Sequence, residues 1–249
     1  MNTRLISSIL MCAFFAGLVP LSAVAEETGV SSIESPRRFI LEARFGTFQP
    51  AVDSDFGNAT PFEDVFGDGM FLMTQLEFEY EIWNKVGIIA VGITAGYSRM
   101  AGSGINPSDG TAATDGTAMN VMPLSAQLVY RFDYLAQRYN VPLVPHVKAG
   151  LDYWIWWIED GVGDVAVVND GDNPKKGYGG TWGGHVGLGV GFLLDFIAPR
   201  MAQTFDVDVG VNNSYIFFEY NWAWINDFGV GDRMNLSSGS FIGGLAFEF

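Results

Sequence analysis

Nine charged or titratable side chains recur at alternate positions within segments that are otherwise apolar. Glu77 and Glu79, for example, alternate with Leu76, Phe78 and Tyr80. Carboxylate, ammonium, guanidinium and imidazole groups can pair with one another, bind ions or carry protons. Alternate residues of a strand share one face, so each segment would place its charges on one side and its large apolar residues on the other. The nine residues are Glu42, Arg44, Glu77, Glu79, Arg131, His146, Lys148, Asp152 and Glu219.

A second group on the same faces is aromatic or sulfur-containing. Phe48 follows Arg44 at an even spacing, and Trp154 and Trp156 follow Asp152 in the same way. If the charged faces line a narrow lumen, this group fills its outer end. There it either packs beneath the loops, which we favour, or forms a cup for a small apolar ligand. The group comprises Phe48, Phe71, Met73, Trp154 and Trp156.

Catalysis and metal binding receive little support from the sequence. The two histidines are His146, among charged residues, and His185, which Ser240 on the last strand could approach. No local motif brings together a nucleophile, a base and an oxyanion site. The acidic residues between Asp164 and Asp172 do not have the spacing of an EF-hand, so we expect a solvated loop there. We therefore predict no catalytic residues, no metal site and no cofactor.

Eight segments have the alternation that positions these residues. Each reaches about the 9–11 residues that a tilted membrane-spanning strand needs, whereas no run in residues 26–249 approaches the ~18 apolar residues of a spanning helix. A soluble sandwich would instead keep its outward face polar. The segments are residues 38–48, 71–82, 87–100, 120–133, 144–158, 181–195, 214–224 and 240–249.

The connections between these segments alternate in length. Residues 83–85 form a tight turn, while residues 134–143 and 196–213 are longer than a turn requires. Long outer loops, short periplasmic turns and aromatic residues near both strand ends are typical of membrane barrels. The sequence predicts an all-β fold, an eight-stranded antiparallel up-and-down transmembrane β-barrel. The polar, Gly-rich outer connections are residues 49–70, 101–119, 159–180 and 225–236.

Residues 1–25 have the features of a secretory signal peptide. Arg4 supplies the positive charge, an apolar stretch follows, and Ala23-Val24-Ala25 forms an A-x-A cleavage site. Cleavage there would remove Cys12, the single cysteine, and leave residues 26–249 as one domain. We therefore predict export through a cleaved signal peptide and a location in the cell outer membrane.

The chain is strongly acidic. It has 28 Asp and Glu against 13 Lys and Arg, and its formal net charge is −15. An acidic surface repels nucleic acid, so we predict no nucleic-acid partner. It also gives no reason to expect a polybasic contact with a membrane surface.

The last strand ends on an aromatic residue. Its apolar positions alternate with small or charged ones, and it resembles the closing strand of bacterial outer-membrane β-barrels. That resemblance implies a strand recognised by the barrel-assembly machinery. The residues that carry this signal are Phe241, Leu245, Phe247 and Phe249.

The whole pattern resembles the small eight-stranded barrels typified by the OmpA transmembrane domain, OmpX and OmpW. Three stretches are also similar to a group of myxobacterial and other deltaproteobacterial outer-membrane barrel proteins. They are Pro36-Arg37-Arg38-Phe39, residues 141–152 from Val141 to Asp152, and Tyr215-Ile216-Phe217-Phe218-Glu219. This resemblance implies fold and location, but no chemistry.

These patterns lead us to expect a structural or envelope-interaction role. Charges in a tight lumen must be paired or hydrated, so we favour a salt-bridged plug. The alternative is a small pore or transporter for ions or small apolar molecules, and a lipid-modifying enzyme is favoured least. The expected partners are outer-membrane lipid and lipopolysaccharide, the barrel-assembly machinery, and envelope proteins that contact the outer loops.

Overall fold

The structure, a computed structural model, describes residues 38–105, 112–170, 173–197, 210–230 and 233–249. The predicted signal peptide, residues 1–25, lies outside these ranges. No helix within them is long and apolar enough to cross a membrane.

Eight strands form a closed antiparallel barrel, as the sequence predicted. Each barrel strand pairs with the next barrel strand along the chain. The first barrel strand pairs with the last, with Ile40 opposite Glu248. Two further short strands, β6 (Val167–Asp170) and β7 (Asn173–Lys176), form a separate hairpin. The barrel strands are β1 (Phe39–Phe48), β2 (Phe71–Trp83), β3 (Ile88–Ile105), β4 (Ala112–Arg131), β5 (Leu143–Glu159), β8 (Tyr178–Leu193), β9 (Asn213–Trp224) and β10 (Ser238–Glu248).

The alternation in the sequence separates an exposed apolar belt from a buried lumen. In β1, Leu41 and Phe45 are exposed while Glu42 and Arg44 are buried. The same alternation recurs in the other strands, so large apolar side chains cover the outside of the barrel. This is the reverse of a soluble domain, in which apolar side chains face inward.

The strand register fixes the tilt of the barrel. If one starts at Trp182 on β8 and moves from each residue to its paired neighbour on the next strand, one circuit of the barrel ends at Phe192. The circuit therefore returns to β8 ten residues further along the strand, which is the stagger of the barrel. A stagger of this size tilts the strands by roughly 40–45°. At about 3.3 Å per residue, ten residues then cover about 24 Å of the barrel axis, close to the ~25 Å apolar band of outer-membrane barrels.

The described parts of the connections contain regular structure that the sequence did not predict, including the β6–β7 hairpin within residues 159–180. Residues 101–119 were assigned to a polar, Gly-rich outer connection, but β3 and β4 continue into it, with Ala101 paired to Ala118. This extension of the hairpin was not predicted, because the Gly, Ser and Thr residues there lack the alternating apolar residues by which the other strands are recognised. Helix α1 (Pro61–Phe66) lies in the first outer connection, and helix α2 (Tyr134–Tyr139) follows β4.

The exposed belt predicts a large penalty for a charge on its outer face. Ile93 lies outward near the middle of β3 and is 57% exposed. We expect Ile93→Arg to lower the free energy of unfolding in lipid vesicles by about 2–4 kcal/mol, because a guanidinium at the centre of a bilayer is poorly solvated.

Val162→Arg is the matched control for this experiment. Val162 is 85% exposed in the connection after β5, so we expect the same substitution there to change stability by less than about 0.5 kcal/mol. Equal effects at the two positions in denaturant titrations would contradict a lipid-facing belt.

Candidate functional site

The nine predicted lumen charges are all buried inside the barrel, with 0–7% of each residue exposed. They come from five strands, because each strand contributes its inward-facing positions. β1 provides Glu42 and Arg44, β2 provides Glu77 and Glu79, β4 provides Arg131, β5 provides His146, Lys148 and Asp152, and β9 provides Glu219.

Lys148 lies at the centre of this cluster. Its Nζ is 2.7 Å from Glu42 Oε2, 2.8 Å from Glu77 Oε1 and 3.4 Å from Glu79 Oε1. Glu219 Oε2 lies further away, at 3.9 Å. Ligand oxygens of Glu42, Glu77 and Glu79 fall within 4.8 Å of one another, a spacing that could hold a metal ion. The lysine ammonium lies among them and supplies positive charge at that place.

Two guanidinium groups connect the carboxylates further. Arg44 Nη1 is 2.9 Å from Glu42 Oε2 and 2.6 Å from Glu77 Oε2, and Nη2 is 2.6 Å from Glu219 Oε1. Arg131 donates from Nη2 to Glu79 Oε1 at 2.7 Å and also pairs with Glu42. Charge-assisted bonds of this kind are stronger than neutral ones. We call Glu42, Arg44, Glu77, Glu79, Arg131, Lys148 and Glu219 the ion cluster.

Asp152 belongs to a second group, which joins the ion cluster through a glutamine. His185 Nδ1 lies 2.8 Å from Asp152 Oδ2, and its Nε2 lies 2.8 Å from Gln127 Oε1. Gln127 in turn donates to Glu77 of the ion cluster, and Ser125 donates to Asp152 Oδ1 at 2.5 Å. Ser125 and Gln127 were not among the predicted site residues, although both occupy inward positions of β4.

His146 and Phe217 complete the inner end of the cluster. His146 Nε2 lies 3.2 Å from Glu219 Oε2. The ring centroid of Phe217 is 5.6 Å from the Arg44 guanidinium and 5.8 Å from the Lys148 ammonium, which is within range for cation–π attraction. An apolar residue among the charges therefore still contributes to their electrostatic environment.

The predicted aromatic group lies at the outer end of the lumen, where it packs against loop residues. Phe48, Met73 and Trp154 are buried, and the Phe48 and Trp154 rings are 5.5 Å apart. Phe71 and Trp156 are half-buried against the same cluster. The loop residues that fill this space include Phe62, Phe66, Ile225, Met234 and Leu236.

A small cavity of about 10 Å³ lies at the side of the lumen, next to Met73 and Trp154. Its polar lining includes Gln75, Asn221 and Ser240. A space of this size holds about one water molecule. It is far smaller than the several hundred Å³ of a typical ligand pocket.

The residues considered for catalysis do not form a nucleophile–base pair. Ser240 lies on β10, two strands from His185 on β8. Both ring nitrogens of His185 face Asp152 and Gln127, and the Ser125 hydroxyl donates to Asp152 rather than to a histidine. A serine activated for nucleophilic attack needs its hydroxyl within hydrogen-bond reach of a base, usually a histidine.

Three solved structures are similar to this chain. OprG of Pseudomonas aeruginosa matches with a TM-score of 0.52 and 13% identity over 87% of this chain and 97% of OprG. Ail of Yersinia pestis, solved with the heparin analogue sucrose octasulfate, has a TM-score of 0.44 and 11% identity over 86% of this chain and 97% of Ail. The N-terminal β-barrel domain of P. aeruginosa OprF has a TM-score of 0.39 and 10% identity over 86% of this chain and all of that domain.

The match to OprG defines the class of fold and nothing finer. The architecture is that of the small outer-membrane β-barrels, as the match to OprG shows. No protein-family model and no curated protein matches the chain. The resemblance to deltaproteobacterial barrel proteins therefore stays a prediction.

The glycines of β8 predict a position-specific packing effect. A Cβ at Gly189 would collide with the His146 ring and lie 2.6 Å from the Phe218 carbonyl oxygen, whereas a Cβ at Gly191 would meet its nearest atom, in Tyr215, at 3.5 Å. We expect Gly189→Ala to lower the free energy of unfolding by about 1–3 kcal/mol, as overpacking does. Gly191→Ala, on the same face of the same strand, should change it by less than about 0.5 kcal/mol. Denaturant titration of both variants in detergent tests this, and equal losses would contradict it.

Removal of Lys148 should be costly and partly reversible. Lys148→Met leaves the carboxylates of the ion cluster without their central cation, and we expect a loss of about 3–5 kcal/mol in the free energy of unfolding. Glu77→Gln in the same chain should recover part of this loss, because it removes one of the carboxylates left facing the others.

The control is Arg99→Met, since Arg99 is exposed and its pair with Glu159 spans 3.2 Å. We expect that variant to lose less than about 1 kcal/mol. Additive effects of Lys148→Met and Glu77→Gln would contradict the pairing.

Proposed function

We propose that this protein is an outer-membrane β-barrel with a closed lumen and a structural or envelope-interaction role. The observation that carries the proposal is the ion cluster, in which every charged group lies at hydrogen-bond distance from an opposite charge. Barrels of eight strands have interiors that side chains can fill. A filled interior of paired charges favours a plug over an aqueous channel.

Opening the lumen would require separation of several ion pairs at once. Lys148 and Arg44 each contact more than one carboxylate, so a water-filled path past either residue breaks more than one bond. A charge that loses its partner in a buried site costs several kcal/mol unless water reaches it. The apolar residues packed around Trp154 add a second layer beneath the outer loops. Both layers would have to move for ions to pass.

The outer surface supports the proposed location. The exposed belt carries aromatic residues toward both ends, with Tyr97, Trp182 and Trp224 at one end and Phe39 and Tyr80 at the other. Such girdles occur where a barrel meets the two membrane–water interfaces. We propose that export uses the cleavable segment 1–25.

The last strand supports the proposed assembly route. We propose that the barrel-assembly machinery recognises the end of the chain through Phe241, Leu245, Phe247 and Phe249. On the outer face of β10, Phe241 is 68% exposed and Leu245 is 42% exposed. Lipid and lipopolysaccharide would then contact the belt. The acidic outer loops would face other envelope components.

The closed lumen predicts that the protein conducts no steady current. We expect the full chain, purified and folded as judged by heat-modifiable gel migration, to give no steady channels in planar lipid bilayers. Arg44→Ala should produce channels, because it removes a guanidinium that bridges three carboxylates of the ion cluster. Arg99→Ala, which breaks an exposed pair outside the lumen, should stay silent.

A conducting wild-type protein would overturn the proposal. Carboxylates outnumber basic groups in the ion cluster by four to three, so a hydrated lumen should prefer cations. Steady, cation-selective channels that change with Glu77→Gln would therefore make the protein a small pore. A silent barrel that Arg44→Ala opens would support the plug.

A further inference from the structure

A strained turn joins β9 to β10 at the outer end of the barrel. Asp227, Phe228 and Gly229 all have positive φ angles, of 56°, 56° and 75°. Glycine adopts this left-handed region freely and aspartate adopts it at times, but a bulky residue such as Phe228 rarely does. A bulky residue keeps an unfavourable backbone conformation only where the surrounding structure holds it there, and such positions are often functional. The conformation of Phe228 therefore suggests that the position of its ring has a use.

The turn is fixed to the barrel wall. Pairing between β8 and β9 ends at Gly184 and Trp224. Beyond that pair, the backbone N–H of Trp182 donates to Asp227 Oδ1 at 3.4 Å, and the N–H of Val230 donates to the Asp227 carbonyl at 3.1 Å. The turn thus lies beside the outer end of β8 and is held there by Asp227.

The side chains at this place are apolar and exposed. Phe228 is 64% exposed and Val230 is 71% exposed. Trp182 and Trp224, on the outward faces of the two neighbouring strands, are 51% and 55% exposed. We call these four residues the outer apolar rim. Phe228 and Val230 follow Trp224 in the chain, and Asp227 holds their turn beside Trp182, so they extend the exposed apolar surface at this end of the barrel.

We propose that the turn at residues 227–229 is a lipid anchor, in which Phe228 and Val230 insert into the interfacial region of the outer leaflet. Continuity with Trp182 and Trp224 favours lipid over a protein partner, because outward tryptophans at this level mark the membrane–water boundary. An aromatic ring at that boundary gains from burial in the acyl region while its backbone stays hydrated. The anchor depends on the proposed membrane location but does not depend on a closed lumen.

Site-specific fluorescence tests the anchor. The chain has one cysteine, Cys12, so a Cys12→Ser background frees it of native thiols. Single substitutions Phe228→Cys, Val230→Cys, Ile93→Cys and Val162→Cys are each expressed in the full chain, and the purified proteins are labelled with nitrobenzoxadiazole. Each is then placed in phosphatidylcholine vesicles, with or without phosphatidylcholine that carries a nitroxide near its glycerol end. Heat-modifiable migration selects folded protein for every measurement.

We expect labels at positions 228 and 230 to emit at shorter wavelength and to lose most of their intensity to the nitroxide lipid. The label at 93, in the middle of the belt, should also be quenched, whereas the label at 162 should behave as in water. If 93 is quenched but 228 and 230 match 162, the anchor is wrong and the membrane location stands. If 93 is not quenched either, the location is wrong and the anchor falls with it.

Discussion

Lys148 places a full positive charge at the centre of a lumen where its side chain has no solvent exposure. A lone ammonium cannot remain charged in such a place, so the carboxylates around it are a requirement of the fold. Glu42 and Glu77 come from the first two strands and lie far from Lys148 in the sequence, at separations of 106 and 71 positions. The barrel must close with the correct neighbours for these groups to meet. Closure and charge pairing therefore depend on each other.

Pairing also determines where the lumen needs small residues. Gly187 and Gly189 face inward on β8, and side chains there would collide with Glu219 and His146. β8 therefore contributes space rather than functional groups at this level, while the adjacent strand β5 supplies Lys148, which is paired with Gly187. The lumen is filled asymmetrically as a result. A run of glycines in a strand is usually a weakness, but here it lets long charged side chains from the neighbouring strands pack side by side.

Alternation was sufficient to predict the eight strands and the buried position of the nine charged residues, because a period of two is visible within one segment. It could not predict which charges meet, since that depends on the stagger between strands. Gln127, which joins His185 to the ion cluster, was missed because an uncharged amide on a polar face gives no distinctive signal. Helix α1 was missed because its first two free N–H groups bond to Asp53, a contact that only the folded loop creates.

The same charges help to specify the register of the barrel. A strand that slips by one residue would turn its charges outward into the exposed apolar belt, which is prohibitive where that belt faces lipid. A slip of two keeps the apolar face outward, so the belt alone does not oppose it strongly. It would, however, move Lys148 by about 7 Å along β5 and away from both Glu42 and Glu77. The belt therefore selects the face of each strand, and the ion cluster selects among the registers that the belt allows.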